Sequence, residues 1–67
     1  MNDIQPKSIK PKAARVNAGM SQEEAAKKLH ITIGQLQYVE YNPGKLKLEV
    51  AWAMSELYKI PVWALAP

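Results

Sequence analysis

Apolar positions along the chain recur at three- and four-residue intervals, broken by prolines, glycines and hydroxyl residues, and no stretch alternates as a convincing strand would. The pattern predicts a first helix starting at Ile9, capped by Ser8, with Pro11 in its first turn and Ile9, Ala13 and Val16 on one face. Gly19 is placed to end it in the left-handed conformation. Ser21-Gln-Glu-Glu24 reads as a capping box, the Ser hydroxyl taking the third N–H while Glu24 reaches back. The second helix then turns Ala25, Ala26 and Leu29 inward, and its small alanines let another helix approach closely. After a short turn at His30 and Ile31, Thr32 caps a third helix, Ile33 to Tyr41, with Leu36 and Val39 inward and Gln35, Gln37 and Tyr38 outward. Asn42-Pro43-Gly44 marks a sharp turn. A fourth helix runs from about Leu48 to Lys59 with Val50 or Ala51, Met54 and Tyr58 inward, and Pro61 starts a last short helix carrying Val62 and Leu65. The expected fold is all-α: a compact bundle of about five short helices over residues 9–67, behind a flexible N-terminal arm of residues 1–8.

Composition narrows what such a bundle can do. A chain of 67 residues makes a domain with a marginal core, for which the usual remedies are disulfides, a metal, a partner chain or very regular helix packing. Cysteine is absent and His30 stands alone, so no disulfide, thiolate zinc site or histidine cluster is expected, and no metal or other cofactor. The first residues lack an apolar core and a small-residue cleavage site, and no apolar run approaches membrane-spanning length, so the expected location is cytoplasmic with no membrane partner. The net charge of +3 sits entirely within residues 1–30, while residues 31–67 are balanced. That excess permits a polyanionic partner and is equally explained by a solvated face.

The central feature is the pair of helices from Ser21 to Leu29 and from Thr32 to Tyr41, joined by His30-Ile31. So short a connection forces a steep crossing, the helix-turn-helix arrangement, which holds its second helix proud of the body where it fits a major groove. Arg15-Val-Asn-Ala-Gly-Met-Ser-Gln-Glu-Glu-Ala-Ala-Lys-Lys-Leu29, followed by Ile31-Thr-Ile-Gly-Gln-Leu-Gln-Tyr-Val-Glu40, resembles the Cro and lambda-repressor (XRE) family of helix-turn-helix regulators. The ending Leu57-Tyr-Lys-Ile-Pro-Val-Trp-Ala-Leu65 is similar to that family's usual close, so the resemblance covers about residues 9–65.

The resemblance implies a division of roles. Gln22 stands where the family has a glutamine that contacts a phosphate and braces the recognition helix, and Thr32 lies beside the DNA backbone. Ile33, Gly34, Gln37 and Tyr38 occupy positions that face base edges, with Gln35 close enough to reach a base or a phosphate. Glutamine pairs bidentately with adenine, and an isoleucine meets a thymine methyl. Asn42, Lys45 and Lys47 follow the helix where relatives touch phosphates, and Lys7, Lys10 and Lys12 offer arm contacts. Arg15 and Glu40 match the family's internal salt bridge and are assigned to structure, not to DNA contact. The chain departs from the family in four ways: its third helix has no Lys or Arg, Ile33 and Gly34 stand where relatives commonly have polar residues, Tyr41-Asn-Pro-Gly replaces a basic turn, and His30 stands where a turn glycine is common.

Each assignment has a plainer counterpart. Gln35 and Gln37 as solvent-facing helix residues, Lys45 and Lys47 as solvated loop charges, and Met20 and Met54 as core filler all satisfy the pattern. Trp52 lies off the inward face of the fourth helix and Trp63 takes what is usually a polar position; two such aromatics suggest a seam with a second chain, against a minicore within one chain. The leading expectation is a sequence-specific double-stranded DNA-binding regulator, a small bacterial or phage repressor acting as a homodimer on a pseudo-palindromic operator. The alternative is a protein-interaction module on the same fold, an antirepressor or antitoxin. An enzyme is the weakest reading: no nucleophile–base pair can be assembled from these residues, and neither a catalytic residue nor a small-molecule substrate is expected.

Overall fold

The computed structural model describes residues 8–65. It is all-helical, with α1 Pro11–Asn17, α2 Gln22–Leu29, α3 Ile33–Tyr41 and α4 Leu48–Tyr58, and two single 3-10 turns, Pro43–Lys45 and Val62–Ala64. The expected fifth helix is the second of these turns. Pro61 starts it in extended backbone, but Leu65 leaves it again to form a parallel bridge with Ile9, so three residues are all it holds. The Ile9 N–H donates to the Ala64 carbonyl at 2.7 Å, tying the two ends of the described chain together.

That tie corrects the first helix. Ile9 lies in the extended bridge and α1 begins at Pro11, behind Lys10 and with no side-chain cap, so Ser8 is not its cap. The inward face also differs from the predicted one: Pro11, Ala14 and Arg15 are buried, while Ala13 and Val16 face solvent. Arg15 faces inward because its partner, Glu40, lies across the fold. Of the arm expected at residues 1–8, all but Ser8 lies outside the described residues.

Three helices close in the same way. The Met20 N–H donates to the Arg15 carbonyl and the Gly19 N–H to that of Val16, with Gly19 at φ +76°. Ile31 to Ala26 with His30 to Lys27 repeats the motif after α2, and after α4 the Ile60 and Lys59 N–H groups both donate to the Ser55 carbonyl. These are Schellman closures, which satisfy end carbonyls by placing one residue in the left-handed region. His30 and Lys59 do so at φ 61° and 59°, where a Cβ makes the conformation costly.

The capping pattern divides differently from the expectation. The Ser21 hydroxyl accepts from the Glu24 N–H at 3.0 Å, but the Glu24 carboxylate pairs with Lys28 at 3.4 Å, one turn on, instead of reaching back. The complete capping box is at Thr32: its Oγ1 accepts from the Gln35 N–H at 3.0 Å, and Gln35 Oε1 accepts from the Thr32 N–H at 2.8 Å. The core is a cluster of Ala25, Ala26 and Leu29 from α2, Leu36 from α3, and Ala51, Met54 and Tyr58 from α4, joined by Ala14 and Leu65. Leu36 and Met54 are fully buried. α2 packs against both α3 and α4, and its buried face is built from the small Ala25 and Ala26 with Leu29.

Candidate nucleic-acid interface

With Leu36 turned into the core and Val39 against its edge, the opposite face of α3 carries Ile33, Gly34, Gln37 and Tyr38, all exposed. Shallow grooves flank this face. One lies between α3 and the α1–α2 side, lined by Lys12, Arg15, Ser21, Gln22, Gln37, Glu40 and Tyr41. The other lies between α3 and the segment entering α4, lined by Ile31, Thr32, Gly34, Gln35, Tyr38, Val39, Lys45, Lys47, Glu49 and Val50. The exposed face of α3 is thus bordered on one side by a groove carrying Lys12 and on the other by a groove carrying Lys45 and Lys47.

The first flank is organised by a buried ion pair. Arg15 Nε donates to Glu40 Oε2 at 2.7 Å and its Nη2 to Oε1 at 3.3 Å. The side chains are 9% and 3% exposed, so the pair sits out of water. Arg15 Nη1 also donates to the Met20 carbonyl at 2.8 Å, joining α1, the turn before α2, and α3 through one guanidinium. Gln22 adds to the chain: its Nε2 donates to Glu40 Oε1 at 3.0 Å, and its Oε1 accepts from Gln37 Nε2 at 3.3 Å. Gln22 thus stands between the buried pair and the exposed face of α3.

Behind the ion pair lies Tyr58. Its hydroxyl is buried and has no hydrogen-bond partner among the described residues. Burial, and after it the nearby Glu40 carboxylate, push its pKa up from 10.0 to about 12, with the Arg15 charge pulling the other way.

Several of the expected contact residues are already engaged within the chain. Gln35 commits Oε1 to the capping box, so its first role is to hold the start of α3. Asn42 donates from Nδ2 to the Tyr38 carbonyl at 3.0 Å, alongside its own N–H at 2.9 Å, and so closes the end of α3. Lys45 and Lys47 are exposed and line the second groove, and Thr32 lies there too. Trp52 and Trp63 are 53% and 62% exposed and line neither groove.

The sequence reading missed two residues. Tyr41 is 87% exposed beside Gln22 and Gln37, one turn beyond Gln37, a spacing the sequence does carry. Leu48 is 69% exposed one turn before Trp52 on α4, which widens the apolar face there. Lys12, offered as an arm contact, belongs to α1 and lines the first groove.

Among the described residues no helix is long and apolar enough to cross a membrane, and no group of His, Asp or Glu side chains is placed to hold a metal ion. A helix-turn-helix family model matches residues 12–62, more than half of the chain. No curated protein and no solved structure matches it.

Proposed function

The chain belongs to the Cro/C1-type helix-turn-helix family of DNA-binding regulators, and on that premise we propose that it is a sequence-specific repressor that binds a pseudo-palindromic operator as a homodimer. The observation that carries the reading is the exposed row Ile33, Gly34, Gln37 and Tyr38 on α3, set between a flank holding Lys12 and Gln22 and a flank holding Lys45 and Lys47. In this reading the row enters the major groove and the flanks meet the phosphates of the two strands. Phosphate contacts supply affinity and register, while α3 supplies the choice of sequence. Because α3 itself carries no cation, affinity depends on the flanking lysines and on joining two chains.

The dimer contact is assigned to the C-terminal part of the domain. Leu48 and Trp52 share a face of α4, and Trp63 adds a second exposed indole from the final turn. Covering large apolar side chains favours association and places two copies of α3 on one face of the duplex, about 34 Å apart. Repression follows as occlusion of the promoter by the bound dimer.

The same apolar surface favours a second reading, in which the fold covers a protein partner as an antirepressor or antitoxin and DNA binding is weak. Fluorescence anisotropy on duplexes selected from a randomised pool separates the two. The repressor reading expects two chains per selected duplex and a symmetric recovered sequence. Binding that is equal on selected and unselected duplexes, or one chain per duplex at saturation, refutes it.

A further inference from the structure

The hydrogen bonds that link Arg15 to the exposed face of α3 have a direction, and it is imposed from the buried end. A carboxylate has acceptors only, so the group that Gln22 turns to Glu40 must be its Nε2, as found at 3.0 Å. Gln22 therefore presents its Oε1 outward. Gln37 must meet that oxygen with Nε2, as it does at 3.3 Å. Gln37 is left with Oε1 and its second N–H facing away from the protein. Reversing the Gln37 amide would set oxygen against oxygen, unless Gln22 also turned and faced Glu40 with its own oxygen. The amide of an exposed glutamine, ordinarily free to rotate, is held in one sense by a carboxylate that is 3% exposed two links away.

We propose that Glu40, acting through Gln22, sets the polarity of Gln37 so that it offers an acceptor beside a donor and selects adenine in the major groove. The inference rests on the DNA-binding reading above. Adenine presents N6–H as donor and N7 as acceptor, the complement of that edge, whereas guanine presents two acceptors and leaves the Gln37 oxygen facing another oxygen. Gln37 is the base-reading residue; Gln22 and Glu40 are positioning residues. Gln22 is thus more than a phosphate contact, because its removal frees the amide that it orients.

The test uses the full chain and the duplex recovered from a randomised pool, with each base pair in turn replaced by the other three, read by anisotropy at fixed salt. Wild-type protein is expected to prefer A·T at one position per half-site by roughly 5- to 150-fold, the range of a good bidentate pair. Q37L, at an exposed position, should abolish that preference while leaving discrimination elsewhere. Q22L should reduce it most of the way although Gln37 is still present, and the double variant should discriminate no worse than Q37L. Replacing the chosen adenine by a purine lacking the N6 amino group should weaken wild-type binding and leave Q37L unchanged. If Q22L keeps full discrimination, or Q37L weakens all duplexes equally, the polarity relay is wrong while DNA binding stands. If wild-type protein binds no duplex, the DNA-binding reading falls, and the relay with it. Because Q37L alters a surface side chain, its result stands even if Q22L proves unstable.

Discussion

Replacing Glu40 by leucine should be among the most damaging single changes in the chain, for reasons unrelated to DNA. The Arg15 side chain is 9% exposed, and two of its three hydrogen bonds end on Glu40. E40L leaves a guanidinium out of water with the Met20 carbonyl as its remaining partner, at a cost of roughly 3–5 kcal/mol. A chain of 67 residues has a total stability of about 3–10 kcal/mol. The single variant therefore loses between a third and all of it. R15M should be similarly harmful, since the Glu40 carboxylate keeps only Gln22. The double variant R15M/E40L places two apolar side chains against each other near Met20 and Tyr58, and should recover most of the loss, because a buried pair replaced whole by hydrophobic residues is often neutral. Urea unfolding of the four proteins, followed by circular dichroism, gives the coupling directly. A coupling of several kcal/mol, little affected by added salt, is expected. Single variants that lose under 1 kcal/mol, or a coupling that salt removes, would mean that the pair behaves as a surface ion pair and the burial argument is wrong.

Three further outcomes follow from particular residues. Because the Tyr58 pKa is raised to about 12 in the folded state, the unfolded chain ionises first; stability is fully present below pH 10 and falls between pH 10 and 12, by up to about 2–3 kcal/mol. Y58F should remove that alkaline loss and stabilise the protein at neutral pH by roughly 1 kcal/mol, since the Tyr58 hydroxyl has no partner among the described residues; a Tyr58 absorbance transition near pH 10 would refute the raised pKa. G34A should raise stability by about 1 kcal/mol, because Gly34 is helical and an added Cβ meets nothing closer than Thr32 Oγ1 at 3.9 Å, yet weaken binding to the selected duplex if α3 approaches DNA closely there; unchanged affinity would place Gly34 outside the interface. W52E and W63E should shift a dimer to monomer in light scattering and lower operator affinity without changing the thermal midpoint by more than a few degrees, and a wild-type protein that stays monomeric at high micromolar concentration would remove the proposed seam.

How much the sequence conveys depends on how far apart the deciding residues lie. The bounds of α3 and the inward set of α2 were legible because their signals are local: Thr32 caps, Ala25, Ala26 and Leu29 repeat at helical spacing, and Asn42-Pro43 stops the helix. The cap at Ser21 is half legible, since nothing in the spacing tells whether Glu24 turns back or forward to Lys28; the Thr32–Gln35 box has the same spacing, with Gln35 held by the box although the resemblance implies a DNA contact for it. The face of α1 is not legible locally because Arg15 turns inward to meet a residue 25 positions away, and the helix starts later than its pattern predicts because Ile9 pairs with Leu65 at the far end of the described chain. Arg15 and Glu40 were named from the resemblance, but the Gln22–Gln37 link between them and the α3 surface is a contact across 15 positions that no periodicity reveals.

The most direct test of the account is the salt dependence of binding to selected and to scrambled duplexes, measured for wild-type protein and for K45Q and K47Q. The logarithm of the binding constant is expected to fall linearly with the logarithm of salt, with the selected duplex favoured throughout. Each lysine replacement should flatten the slope by about one and weaken both duplexes alike. A slope near zero for the wild-type protein, or no preference between the duplexes, would contradict the claim that α3 and its flanks form a DNA-reading surface.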